Sequence, residues 1–243
     1  MSFELRFNMD EELVKLGELD LETSAIYAAV SFSNGGYHSG ILITYDGSSH
    51  FFHFLGPRST ISLDIDLEDE NLILKKIVSV IQSDEIYIEA FLNFCLRIKK
   101  KSNILYGHIF GIGRYSAEEA VFESETTLPE ISNCVGFCLN VLTGFLNCKS
   151  FFQYSDWSLH PLDYKERNYV RHIERWLGKD DDLNVPASDM LDSSEFFAHH
   201  RKINSIEYLA SGFCSEEQVP IRKVILDPIS EPLFDAFHQV LEA

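Results

Sequence analysis

Positive charge is what this sequence has least of. Its 20 Lys and Arg stand against 38 Asp and Glu, a formal net charge of −18 over 243 residues. The excess of acid is spread along the chain and not gathered in a tail. It argues against a nucleic-acid binder and against electrostatic docking on an anionic membrane. A short basic run, Lys99-Lys100-Lys101, closes an apolar helical segment, where it is expected to complement the helix dipole. Long hydrophobic runs are missing too: no apolar stretch approaches the roughly 20 residues of a membrane span. The start, Met1-Ser-Phe-Glu-Leu-Arg-Phe7, does not have the basic-then-apolar order of an export signal. Paired cysteines are absent as well. Cys95, Cys134, Cys138, Cys148 and Cys214 are odd in number, and no two pairs have zinc-ligand spacing. Free thiols in a reducing compartment follow, with a cytoplasmic location, no metal and no cofactor. Gly111-Ile-Gly113 lacks the third glycine, the lysine and the helix start of a phosphate loop, and predicts only a turn.

What is present is a composition of 45% hydrophobic and 24% charged residues, ordinary for a folded chain with a sizeable core. The length suits one large domain with an appendage. Residues 3–7 predict an edge strand, and 10–19 a short acidic helix with Leu13 and Leu16 on one face. Residues 25–33 predict a buried strand, and Asn34-Gly35-Gly36 a hairpin turn into a second strand, 37–45. Asp46-Gly47 then turns the chain into a third strand, 50–55, before Gly56-Pro57 ends it. Strict alternation over 61–67 predicts another strand; 69–82 lean helical, and 84–101 predict a better helix. A strand is expected over 104–112. A helix over 134–146 follows the acidic stretch 116–130. Beyond residue 157 helices are expected at 163–177 and 193–210, then a strand at 222–226 and a last helix at 233–241. This is an α+β chain: an antiparallel sheet with packed helices over 1–155, and a mainly helical C-terminal extension, 156–243, that packs on the first part or stands apart from it.

The stretch with chemistry in it is Ser132-Asn133-Cys134-Val135-Gly136-Phe137-Cys138. It places a thiol where a helix begins, and a helix start favours the thiolate. Ser132 or Asn133 would cap that helix, and the Cys134 N–H would face a developing oxyanion. Cys138, one turn on in an apolar helix, predicts core packing. A thiol nucleophile needs a base and a group to orient that base. His38 opens the strand after the glycine turn, and His50 and His53 lie on the next strand. Strand parity chooses between them: a two-residue loop at Asp46-Gly47 puts His53 on the face of His38, and a three-residue loop puts His50 there. His108 could line the same cleft. His199-His200 predict an exposed helix end.

A histidine opening a strand, an Asp-Gly turn, a second histidine twelve residues on and a later Asn-Cys-x-x-Phe resemble the circularly permuted papain-like thiol enzymes. The nearest pattern is that of the lecithin retinol acyltransferase-like family, matched by Asn133, Cys134 and Phe137. Val135-Gly136 stands where that family has Glu-His. The PPPDE isopeptidases are similar more loosely, through Leu142-Thr143-Gly144. The resemblance covers about residues 25–55 and 130–146. It implies a permuted papain-like fold with Cys134 as nucleophile, His38 as base and His50 (or His53) as its polar partner. It also implies a hydrolase or acyltransferase acting on an amide, isopeptide or ester through a thioester. The substrate would be a protein or an acyl-bearing molecule, and the C-terminal extension would hold a protein partner. The alternative is an inactive protein-binding module on the same scaffold.

Overall fold

The computed structural model describes residues 12–33, 35–55, 60–68, 71–77, 84–107, 110–124, 130–146, 148, 150–157 and 200–242. The expectations for 3–7 and 163–177, and those for His108 and His199, lie outside them.

The centre is one six-stranded antiparallel sheet. Its strands are β1 (Val14–Lys15), β2 (Ala25–Ser33), β3 (Gly36–Tyr45), β4 (Ser48–Leu55), β5 (Thr60–Ile65) and β6 (Leu72–Lys76), in the order β1-β6-β2-β3-β4-β5. Tyr45 pairs with Ser48, so the β3–β4 loop holds two residues. Asp46 and Gly47 both have positive φ, 51° and 73°, the type I′ geometry whose twist suits a hairpin.

Alternation sorts the sheet's side chains onto two faces. Ala28, Val30, Ile41, Ile43, Phe52 and Phe54 point into the main core, while Tyr27, Ala29, Leu42, Phe51, Leu72 and Leu74 build a smaller one behind it. Helices α1 (Glu85–Lys101) and α2 (Cys134–Phe145) cover the first face. Asp84 caps α1 by accepting from the Ile86 N–H, and its last turn carries Lys99, Lys100 and Lys101 as expected. Phe137 of α2 packs between Phe52 and Phe54, with ring centroids 5.1 and 5.9 Å away.

Short strands bring α2 in. β7 (Leu105–Tyr106) runs parallel to β11 (Ile131–Ser132), which leads straight into α2. β7 and β8 (Phe110–Gly111) divide the strand expected over 104–112, and β9 (Gly113–Tyr115), which follows it, pairs with β10 (Phe122–Ser124). The buried Asn140 ties the glycine turn to α2: its Nδ2 donates to the Gly111 carbonyl and its Oδ1 accepts from the Gly113 N–H.

Three elements correct the sequence expectations. Residues 14–18 form β1 and a 3₁₀ turn instead of an acidic helix, because pairing with β6 outweighs local helix preference. Leu72-Ile73-Leu74 is strand β6, not helix: all three are fully buried, and a strand covered on both faces has no alternation to betray it. Residues 223–226 open a long helix, α4 (Lys223–Glu242), instead of forming a strand.

The C-terminal part is built into the same core. Its strand β12 (His200–Arg201) pairs with β8, so His200 is a strand residue and not a helix end. The six-residue α3 (Ser205–Ala210) lies on the sheet, with the Tyr208 hydroxyl donating to the Gly40 carbonyl at 3.0 Å. A bridge between Phe152 and Ile221 and an Arg222–Asp156 ion pair anchor α4.

One buried acid makes stability depend on pH. Burial pushes the Glu130 carboxyl up to about 8, against the favourable bond from the Tyr115 hydroxyl at 2.6 Å. The folded protein therefore holds a proton that the unfolded chain releases near pH 4.5, and stability falls as pH rises through that window to about 8. Each unit of the window is worth about 1.4 kcal/mol. We expect the midpoint of thermal unfolding to fall between pH 5 and pH 8, and Glu130→Gln, which keeps an acceptor for Tyr115, to flatten that fall.

Candidate active site

β3 carries the site. Because neighbours on a strand point to opposite faces, His38 and Ser39 leave it in opposite directions. His38 shares its face with His53, which pairs with the strand at Gly40. The two rings bond directly, His38 Nε2 to His53 Nδ1 at 2.7 Å. His53 Nε2 in turn meets Asp64 Oδ2 of β5 at 2.7 Å, and Ser62 donates to Asp64 Oδ1 at 2.7 Å. A row of side chains thus crosses three strands: Asp64, His53, His38. Burial lowers the pKa of His53 against the opposing pull of Asp64. Burial would raise Asp64, but its bonds from Ser62 and His53, with the charge of Lys99, hold it below the usual carboxylate range.

His50 does not join the row. It pairs with Ile43 and Ile65, on the main-core face, and its buried Nδ1 has no hydrogen-bond partner among the described residues. The two-residue turn at Asp46-Gly47 decides this, since one more loop residue would have exchanged the two histidines. The family pattern's spacing of twelve residues points to His50; the geometry gives the place to His53.

Gly40 makes the row possible. A Cβ there would lie 2.3 Å from the Phe51 ring and 2.9 Å from the His53 Cβ. Without one, Phe51 stacks on His53 with centroids 4.3 Å apart.

Cys134 arrives from the other side as the first residue of α2. Asn133 is the cap, its Oδ1 accepting from the Gly136 N–H at 2.7 Å. Ser132 is not: it is buried in β11, and its hydroxyl donates to the Asn133 carbonyl. Ser39 and the N–H groups of Val135 and Cys134 itself stand close enough to the thiol to favour its thiolate, while the Ser39 hydroxyl donates its proton to Ser205 at 2.9 Å. A backbone bond that favours a thiolate comes from an N–H, and strand N–H groups lie in the sheet plane. The β3–β4 ladder ends at Gly40 and His53, so the strands part just where Ser39 follows. Cys134 thus meets β3 at Ser39, on the main-core side of the strand, and the histidine row lies on the other face.

The expectation of a depressed thiol pKa is not met. Burial pushes Cys134 up, and the bonds from Ser39 and the helix start offset this only in part. The helix start does act in the direction expected; enclosure of the sulfur is the larger effect. Tyr106 stands within electrostatic reach of Cys134, its own pKa raised by burial and by that thiol. Cys138 is fully buried in the core.

Among the described residues no group of His, Cys, Asp and Glu is arranged to hold a metal ion, and no helix is long and apolar enough to cross a membrane. Reasoning from sequence named Cys134, His38, Asn133 and the pair of alternatives for the third place; it did not name Ser39 and Tyr106, which lie near the thiol, or Asp64, which lies behind His53. Asp64 had a signal, because it lies in the alternating run 61–67 on the side of the strand away from the core. Ser39 and Tyr106 had none. No protein family, curated protein or solved structure matches the chain.

We expect Gly40→Ala to lower the urea midpoint, at a cost of about 1–3 kcal/mol for overpacking, with an unchanged slope. The same change should separate the His38 and His53 rings, visible as altered imidazole resonances in NMR.

Proposed function

We propose that the chain is a cysteine-dependent hydrolase or acyltransferase. The observation that supports this is the convergence on β3. Ser39 holds the Cys134 thiol at the start of α2, and the adjacent His38 ends a hydrogen-bonded row from Asp64 through His53. In the reaction His38 takes the proton of the Cys134 S–H, and the sulfur attacks the carbonyl carbon of an amide, isopeptide or ester. The carbonyl oxygen becomes an oxyanion, which N–H groups of the first turn of α2 stabilise. The tetrahedral adduct collapses, His38 gives its proton to the departing amine or alcohol, and a thioester remains on Cys134. Water or a second acceptor, deprotonated by His38, releases the acyl group and restores the thiol.

A raised thiol pKa suits this scheme if proton transfer accompanies attack, as in a thiol–imidazole pair that ionises only with its substrate. It equally favours a second reading, a protein-binding module on the same scaffold in which Cys134 is an inert enclosed thiol. A permuted papain-like fold belongs to the first reading, supported by chain order: histidine strand first, cysteine helix later.

One experiment separates them. On reaction with p-nitrophenyl acetate the intact mass should rise by one acetyl group, mapped to Cys134. The adduct should vanish in Cys134→Ala and form at least about a hundredfold more slowly in His38→Ala, the lower range for loss of an acid–base group. Acetylation of Cys148, the other half-buried thiol, with none at Cys134 would overturn the catalytic reading.

A further inference from the structure

We infer that the groove between α3, α4 and the start of β3 binds an extended basic segment of another protein, one that carries arginines at two alternate positions. The groove encloses about 910 Å³. It includes Tyr37, which shares a face of β3 with Ser39 and not with the histidine row. The inference does not depend on Cys134 being a nucleophile, because it concerns binding and holds for an enzyme and for a protein-binding module alike.

The floor of the groove is buried and comes from α3. Glu207 is fully engaged there, accepting from the Trp157 indole N–H, the Asn204 N–H and Lys223 Nζ. Lys223 also donates to Asp227 at 2.7 Å, so the one cation among the described lining residues is held between two carboxylates of the groove itself. Ser205 differs. It is only 6% exposed and accepts from the Ser39 hydroxyl at 2.9 Å, but its own proton has no acceptor among the described residues. A buried donor without an acceptor is costly, and the main-chain carbonyl of a segment lying in the groove supplies one.

The rim is exposed and belongs to α4. Asp227, Glu231 and Asp235 follow each other at one-turn intervals along the face that lines the groove. Glu231 and Asp235 have neither a hydrogen bond nor an ion pair among the described residues. Beside them Phe234 is 45% exposed, packed edge-on against His238, and Tyr37 adds a second aromatic surface. Unpaired carboxylates next to aromatic rings suit a guanidinium, which forks onto the one and stacks on the other better than an ammonium does.

Spacing sets the form of the partner. Four residues of helix advance about 6 Å, and two residues of extended chain about 6.6 Å. Alternate side chains of an extended segment therefore keep step with Glu231 and Asp235. Charge narrows the partner further: a second copy of this chain, a nucleic acid or an anionic membrane would meet a protein of net charge −18 at its acidic rim.

The test uses the full chain and a short labelled peptide of alanine and glycine with arginine at two alternate positions. Fluorescence anisotropy at low ionic strength should show binding, and a lysine version of the peptide should bind more weakly. Glu231→Gln with Asp235→Asn should weaken binding at least about fivefold, the range given by two exposed ion pairs. Glu118→Gln with Glu119→Gln removes the same charge outside the groove and should change it less than about twofold. On titration, amide resonances of 204–207 and 230–235 should shift. Equal losses in the two double variants would reduce the effect to overall charge and overturn the inference, as would no binding or shifts confined to other residues. None of these failures touches the thiol chemistry, since p-nitrophenyl acetate carries no basic segment; failure of acetylation at Cys134 would in turn leave the groove standing.

Discussion

The pleat of a single strand governs this structure. β3 must bury Ile41 and Ile43 against the helices, so its register is not free to slip, and every other side chain on it has its face assigned. Ser39 is committed to the helical side and His38 to the other. Only where the pairing with β4 ends does the backbone itself become available, and there the first residue of α2 meets it. Core packing and chemistry use the same few residues.

Around that strand the rest of the chain acts as support. β4 and β5 supply the second histidine and the carboxylate, each from the face away from the main core. α2 is oriented by Phe137 between Phe52 and Phe54 and by Asn140 on the glycine turn. α3 bears on β3 from above: the Tyr208 hydroxyl reaches the Gly40 carbonyl, and Ser39 donates to the buried Ser205 at 2.9 Å. The C-terminal part is thus bonded to Ser39 and Gly40, the two residues that follow His38. At the far end of α4 the Tyr37 hydroxyl lies 2.8 Å from His238 Nε2, which extends that clamp to the residue before His38.

Two ionisable groups show burial winning over local electrostatics. Cys134 has a helix start and a Ser39 donor in its favour and is still pushed up, and Glu130 keeps a Tyr115 bond and still rises to about 8. In both, enclosure removes more hydration than one or two hydrogen bonds return. For Cys134 this leaves the resting thiol protonated near neutral pH.

Much of the sheet was legible from the chain alone. Alternation and turn chemistry marked β2, β3, β4 and β5, and Asp46-Gly47 marked the turn whose length decides between His50 and His53, a length that only the pairing of Tyr45 with Ser48 fixed. Ser132-Asn133-Cys134 announced the start of α2, with the cap left between Ser132 and Asn133, since capping is a local matter of one side chain and one turn. What local pattern could not decide was anything set by partners far along the chain. β6 looked helical because both its faces are buried, the start of α4 looked like a strand because of its branched residues, and β1 is a strand only because β6 lies beside it. The same limit applies to the site. The sequence determined which residues could react; the fold alone put Ser39 on the thiol and Asp64 behind the histidines, because strand pairing over 11 to 15 residues and helix packing over almost a hundred are long-range choices of burial.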